Sequence, residues 1–469
     1  MNSVIEMSSD KVLVANRGEI ACRIIRAAKS LGLLTVAVHS DVDAQLPHVS
    51  LADEAYSIGP ARPAESYLDG AKLIAVAQRS GARFIHPGYG FLAERASFAA
   101  DCARSGLVFV GPGADVIAAM GDKDRARRTA SLAGVPILPG TGKLPDDHAE
   151  IAVQAAAIGY PLLVKASAGG GGIGMRMVET PAALQAAIDS TRSLAHKAFG
   201  DGSVYLERLL AHPRHVEIQV FGYGDGTAVH LFERDCSLQR RHQKVIEEAR
   251  APGLPERVTR AMADAAIGLC AATCYAGAGT VEFLVDTSTL EFFFLEMNTR
   301  IQVEHPVTEM LTGIDLVAAQ LRLAAGDSAL KADMVHSIRA QGHAIEARVY
   351  AENPAKNFMP SPGTLRTFSI PSDISLRVEC SYVEGNTVTP YYDPMLLKMI
   401  AHGRSRGEAI ARLDAGLDAL RIEGVAHNVG YLRACLNDDG FAAGAVHTGF
   451  LAQRHAQLVG AASRVGSVS

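Results

Sequence analysis

No stretch of the 469 residues approaches the roughly 20 consecutive apolar side chains that a membrane-crossing helix requires, so no membrane association is expected. The opening MNSVIEMSSD has no basic flank and no apolar core, and it carries two acids, which does not fit a targeting peptide. The seven cysteines are scattered, and the closest two, Cys270 and Cys274, are not in CxxC spacing. A disulfide framework and a zinc site are therefore excluded, and a reducing, cytoplasmic location is expected. Dense Lys/Arg runs with interleaved aromatics are lacking and the formal net charge is -5, which argues against nucleic acid as a partner. Two nucleotide motifs are also missing. The turn after the first apolar run reads NRGE and not GxGxxG, which removes the main support for a dinucleotide dehydrogenase. GTGKL at 140–144 lacks the first glycine and the Ser/Thr of a Walker A loop.

What is present is an ordinary globular composition, 48% hydrophobic and 20% charged, in a chain long enough for two to four domains. KVLVAN, a helical run RGEIACRIIRAAKSLG and LLTVAVHSD read as a βαβ unit of a parallel sheet, joined by strands in ARFIHPGYGFL and GLVFVGP. Residues 1–110 form this first domain, and 111–137 a helical connector ended by Gly134 and Pro136. A smaller unit, 138–209, contains strand, glycine loop and strand in YPLLVKASAGGGGIGMRMVE. The larger remainder divides at about 340, runs to 455, and ends in a small polar tail, 456–469, expected to fray. The fold class is α/β and α+β.

Chemistry gathers in the second half. The run Gly169–Gly172 allows close backbone approach to an anion, with a flexible hairpin tip as the plain alternative. Lys165 stands in the apolar strand before it and suits a fixed anion. In GTVEFLVDTSTLEFFFLEMN a turn at DTSTL sets Glu282 opposite Glu296, with Asn298 on the face of Glu296. Two opposed carboxylates need a cation or a proton between them, and with the amide oxygen they suit a hard divalent ion shared with phosphates. Solvent-facing glutamates are the alternative. HVEIQV alternates His215, Glu217 and Gln219 with Val216, Ile218 and Val220, as a strand with one wet face. ERDCSLQRRHQKVIEEA reads, residue by residue, as a solvated loop or helix. In RIQVEHP, Arg300, Gln302 and Glu304 alternate as an extended segment would present them. Arg grips planar oxyanions, and a carboxylate beside one can take its proton.

These stretches together resemble biotin carboxylase, the ATP-grasp component of biotin-dependent carboxylases. ANRGEIA, HPGYGFL, MGDK, PRHVEIQV, ERDCSLQRRHQK and EMNTRIQVEHPVTEM carry the resemblance, and GHAIEARVYAENP, PSPGT and YYDPM extend it to about residue 450. It implies an ATP-grasp fold: a Rossmann-like pre-ATP-grasp domain, a mobile glycine-loop lid (138–209), an ATP-grasp core (210–340) and a biotin carboxylase C-terminal part of mixed α+β structure (341–455). By that resemblance Lys123, Lys165, Gly171 and Gly172 meet ATP phosphates, Glu207 and Leu210 lie in the hinge at adenine, and His215, Gln239 and His242 line the nucleotide site. Glu282, Glu296 and Asn298 hold Mg²⁺ or Mn²⁺. Lys244, Arg300, Gln302 and the backbone of Val303 bind bicarbonate, Glu304 is the base, and Arg348 with Tyr89 receives biotin. The glycine loop departs from some family members at Ala168 and Ile173, which bears on lid closure. An AMKM biotin-attachment sequence is lacking, so biotin is expected on a biotin carboxyl carrier protein or domain. Carboxyltransferase subunits and a homodimer are implied likewise. An ATP-grasp ligase with another acceptor, such as an amino acid, is the alternative.

Overall fold

The structure is a computed structural model, which describes residues 10–167, 174–371 and 376–465. The first apolar runs form β1 (Lys11–Val14), α1 (Gly18–Ser30) and β2 (Leu34–His39), followed by β3 (Glu54–Ser57), β4 (Phe84–His86) and β5 (Val108–Phe109). All four pairings are parallel, in the order β3-β2-β1-β4-β5. That order reverses between β1 and β4, and in open parallel sheets ligands lodge at the carboxyl ends beside such a reversal. Asn16 to Gly18 follow β1 there, and Tyr89 to Phe91 follow β4.

The connector is two helices, α2 (Ala114–Gly121) and α3 (Lys123–Leu132), broken at Asp122, whose carboxylate caps the second by accepting from the Arg125 N–H. A three-stranded antiparallel sheet, β7-β6-β8, follows: β6 (Leu162–Ala166), β7 (Met175–Val178) and β8 (Val204–Arg208), with α4 (Leu184–Phe199) against it. Leu162, Val164, Ile188 and Leu206 form its own small core. The glycine run with Ala168 and Ile173, and so Gly171 and Gly172, lies outside the described residues.

The centre of the molecule is an eight-stranded antiparallel sheet. Its strands are β9 (Arg214–Tyr223), β10 (Ala228–Arg240), β11 (Gln243–Ala249), β12 (Ala276–Val285), β13 (Phe292–Asn298), β14 (His343–Tyr350), β15 (Arg377–Cys380) and β16 (Met395–Gly403). Their order is β13-β12-β9-β10-β11-β14-β16-β15. On one face, Val216, Ile218, Val220 and Phe283 pack on Met262 and Ala266 of α5 (Glu256–Ala272). The other face is polar and lies beneath the segment 299–304 and α6 (His305–Thr312), which is followed by α7 (Leu316–Ala324). Leu413 and Leu417 of α8 (Arg406–Ala419) and Leu458 of α9 (Phe450–Val465) close the C-terminal core. Among the described residues no helix is long and apolar enough to cross a membrane.

Four expectations change. ERDCSLQRRHQKVIEEA is the β10–β11 hairpin, turning at Arg241 and His242 with positive φ, and not a loop or helix. The polar side of HVEIQV is not wet, because Glu217 and Gln219 are fully buried. Residues 300–304 leave the strand after Asn298 and turn into α6, so their polar groups converge by loop geometry and not by strand alternation. The expected tail is helical as far as Val465, because Leu458 finds the C-terminal core.

Candidate functional site

The β12–β13 hairpin places Glu282 directly opposite Glu296, as the turn position predicts. In the adjoining strand Glu217 pairs in turn with Glu282, so three carboxylates stand in a row across the sheet. Glu282 is the most heavily attended. Lys244 Nζ lies 2.8 Å from its Oε1, Gln302 Nε2 donates to the same oxygen at 2.7 Å and Asn298 Nδ2 at 2.9 Å. His215 Nε2 is 2.9 Å from its Oε2, while Gln239 Nε2 and His215 Nδ1 are 2.7 Å apart. Burial works to raise the Glu282 pKa, but Lys244 and His215 outweigh it and hold the group well below the usual carboxylate range. Glu296 fares differently. It makes no hydrogen bond among the described residues, and burial followed by the charge of Glu282 pushes its pKa up. A site with two facing acids, one lacking a partner, is short of positive charge. That deficit is what a divalent ion at Glu282, Glu296 and Asn298 would fill, so the donor set fits a hard cation.

Lys244 is shared by three carboxylates, with Glu217 at 2.7 Å and Glu304 at 2.6 Å besides Glu282. Glu304 is 2% exposed, and Arg348 Nη2 approaches its other oxygen at 2.9 Å. Burial pushes its pKa up, but Lys244, Arg348 and Arg234 prevail and hold it well below the usual range. Glu304 is thus an anion with room for a proton. An oxyanion that drew the Lys244 ammonium away would raise the basicity of Glu304. Gln302 is fixed from behind, its Oε1 accepting from Arg234 Nη2 at 2.6 Å. Arg234, fully buried, also donates to Glu217, Gln219, Thr280 and Thr308, so it ties β9, β12 and α6 to this loop. Such a hub costs roughly 3–5 kcal/mol to break, since its partners would be left uncompensated.

Arg300 lies on the rim. Its Nε donates to Glu94 at 2.9 Å and its Nη2 to Asn298 Oδ1 at 2.8 Å. With Val303, Arg348, Tyr89, Gln243 and Tyr350 it lines a cleft of about 680 Å³, which also reaches Asn16 and Arg17 at the switch point of the parallel sheet. The carbonyl of Val303 accepts from Lys398 Nζ at 2.6 Å. Tyr89 donates its hydroxyl to Glu19, which lies 3.1 Å from Lys398. Gly18, at φ +66°, starts α1 where a Cβ would stand 3.0 Å from Ser381 Oγ, and that oxygen accepts the Glu19 N–H. Cleft wall and C-terminal part are thereby locked together.

At the other end, Lys165 pairs with Glu207 at 2.5 Å, and Arg127 also reaches Glu207. Lys123 begins α3 nearby. Burial lowers its pKa and the charge of Lys165 adds to this, against the pull of Glu296. Lys165 is itself held above its usual range, because Glu207 outweighs its burial, and two ammonium groups brought this close mark a place for an anion. Beside them Leu210 clusters with Leu138, Phe293 and Leu284, an apolar seat next to the polar row. His242 sits exposed at the hairpin tip and does not join the group.

Sequence reasoning missed several of these side chains. Leu284 stands two residues beyond Glu282, on the same face of β12, so alternation was a usable signal. Glu94, Arg127 and Arg234 gave none, because their partners lie between 15 and 206 residues away in the chain.

Three family models match the chain. They are the biotin carboxylase N-terminal domain over residues 8–117, the ATP-binding domain of the carbamoyl-phosphate synthase L chain over 122–332, and the biotin carboxylase C-terminal domain over 346–453. Biotin carboxylase 2 of Bacillus subtilis is 48% identical over 443 residues, spanning 94% of this chain and 99% of that protein. The mitochondrial methylcrotonoyl-CoA carboxylase subunit alpha of Dictyostelium discoideum is 49% identical over 442 residues, and the match spans 63% of its length. A crystal structure of Campylobacter jejuni biotin carboxylase in complex with β,γ-ATP superimposes with a TM-score of 0.90 at 40% identity, covering 95% of this chain and 99% of that one. The biotin carboxylase domain dimer of Hydrogenobacter thermophilus 2-oxoglutarate carboxylase, with MgADP, ADP and bicarbonate, gives 0.89 at 41%, covering 96% and 98%.

Proposed function

Since the chain belongs to the biotin carboxylase family, we propose that its cleft joins bicarbonate to the biotin of a carrier protein at the expense of ATP, the first half-reaction of an acyl-CoA carboxylase. The observation that carries this reading is the convergence of Lys244, Arg348 and Glu304 between the opposed acids and the cleft.

Lys123 and Lys165 receive the phosphates, while Glu207, Leu210, His215 and Gln239 hold the rest of the nucleotide. Mg²⁺ or Mn²⁺ held by Glu282, Glu296 and Asn298 would offset charge on the phosphate oxygens. Bicarbonate lies among Lys244, Arg300, Gln302 and the backbone of Val303. Glu304 takes its proton, and the freed oxygen attacks the γ-phosphorus as the bond to ADP breaks. The resulting carboxyphosphate splits into CO₂ and phosphate. The phosphate removes the N1′ proton of biotin, whose nitrogen then attacks CO₂. Arg348 steadies the negative ureido oxygen by a charge-assisted hydrogen bond, with Tyr89 beside it. Glu304 gives up its proton as products leave.

The partners of this reading are a biotin carboxyl carrier protein, a carboxyltransferase and a second copy of the chain, in the cytoplasm. The test is ADP release from ATP with bicarbonate and free biotin added singly and together. Stimulation by both together is expected, and its absence would refute the reading. Arg348→Ala should lower carboxylation of free biotin at least tenfold while nucleotide affinity changes less than threefold. Equal losses would point to a collapsed site.

A further inference from the structure

A second pair of facing glutamates lies on the polar side of the sheet, away from the nucleotide. Glu247 of β11 and Glu346 of β14 are register partners, and both are fully buried. Among the described residues, neither oxygen of Glu346 has a hydrogen-bond partner. Its sheet neighbours Ala344 and Ile400 pack with Val307 and Leu311 of α6 and exclude water from that side. Among the described residues Glu247 has one close cation: Arg348 Nη2, at 2.7 Å from its Oε1, the same nitrogen that stands 2.9 Å from Glu304. Arg348 therefore hangs between the base and a buried acid that has a second acid behind it.

Other charged groups face the pair on this side of the sheet. Glu19, Glu217, Glu282 and Glu304 join Glu247 and Glu346 to make six acids. Against them stand Arg234 from β10, Lys244 from β11, Arg348 from β14 and Lys398 from β16, which are four cations. His215 of β9 stands against Glu282, 2.9 Å from its Oε2. His305 of α6, also on this side, is kept neutral by burial and then by Lys398, so it adds no charge. Directly opposed carboxylates on adjacent strands are close enough to hold a proton in common, which removes one of the two buried charges.

We propose that Glu247 and Glu346 share one proton, and that this pair is a positioning element for Arg348. With the proton in place, a single negative charge sits behind the guanidinium, and Arg348 stays divided between Glu304 and the cleft. Without it, two charges draw Arg348 back into the sheet and away from biotin. The positioning half rests on the function proposed above, while the shared proton does not. Supporting this, burial first, and Glu304 further, push the Glu247 pKa up to about 7 against Arg348, and Glu346 is driven well above its usual range.

The sign follows from linkage. A carboxyl raised in the folded state adds stability that is full below its ordinary range and is lost as pH rises from there through the folded value, here up to about 7. The thermal midpoint of the wild-type protein should therefore fall between about pH 5 and pH 8 by a component that Glu346→Gln removes. Glu247→Gln removes the same proton from the opposite strand and should flatten the same limb, so either variant alone decides if the other fails to fold. In steady state, the wild-type KM for free biotin should rise with alkalinity, by at most about tenfold per pH unit for one proton. Glu346→Gln should abolish that rise while the KM for ATP stays put. A Glu346→Gln protein that keeps the wild-type alkaline limb in melting overturns the shared proton. A flattened melt with an unchanged biotin limb overturns the positioning role. Failure of biotin to stimulate ADP release at any pH would refute the proposed function, leaving the melting result to stand separately.

Discussion

Two pairs of glutamates face each other across neighbouring strands of one sheet, and the protein treats them in opposite ways. Glu282 and Glu296 open toward the lysines of the nucleotide end, and Glu282 alone is met by Lys244, His215, Gln302 and Asn298. Glu247 and Glu346 lie deep in the sheet with one guanidinium between them and the base. Both pairs are short of positive charge. At the first, a mobile ion can enter from the side where Glu296 lacks a partner. At the second, Val307 and Leu311 of α6 cover the sheet beside Glu346. On the readings proposed above, facing glutamates would thus serve as a cation site or a proton site according to what seals the edge. Glu304 stands between the two, tied to the first pair through Lys244 and to the second through Arg348.

Breaking that midpoint should have the largest effect. Glu304→Gln keeps the shape and the hydrogen-bonding oxygen but cannot take a proton from bicarbonate. Bicarbonate-dependent ATP cleavage should fall by roughly 10²–10⁴-fold, the usual weight of a positioned general base. Nucleotide affinity, measured by equilibrium binding, should move less than threefold. Unchanged turnover would remove Glu304 from the base role.

Next comes the first pair itself. Glu296→Gln removes one of the two charges that invite the ion but leaves the Glu282 contacts intact. The Mg²⁺ concentration needed for half-maximal ADP release should rise about tenfold, equivalent to ~1.4 kcal/mol. Because Glu296 has a raised pKa, the variant should also fold at least as well as the wild type near neutral pH. A stable protein with unaltered Mg²⁺ dependence would break the contrast between the pairs.

The two pairs also differ in how far the sequence reveals them. DTSTL joins β12 to β13 directly, so counting from the turn puts Glu282 opposite Glu296, which the register bears out. Strands β11 and β14 have almost a hundred residues between them, and no turn fixes their register. Glu346 and Arg348 do alternate in EARVY, which announces a shared face but not what it meets. RIQVE shows the opposite failure. Its alternation suggested an extended strand, yet the chain turns after Asn298, because Gln302 is drawn inward by Arg234 and the Lys398 ammonium takes the carbonyl of Val303. Hydrophobic periodicity reports which face is apolar. It cannot report that a polar face is covered, which is why the wet side expected for His215, Glu217 and Gln219 is buried.

The smallest expected effect belongs to a pair outside the sheet, where water does what packing does inside. Glu94 holds Arg300 through Nε at 2.9 Å, but their side chains are 40% and 20% exposed. An ion pair so open is worth about 0.2–1 kcal/mol, since solvent screens the attraction and replaces the lost partner. Glu94→Gln should therefore raise the KM for bicarbonate by no more than about fivefold, through looser placement of Arg300, with kcat little changed. The effect should shrink further at high salt, which screens exposed charges far more than buried ones. A loss of a hundredfold or more, insensitive to salt, would mean that Glu94 acts on the reacting groups themselves. The exposed rim would then have to be counted with the two buried pairs.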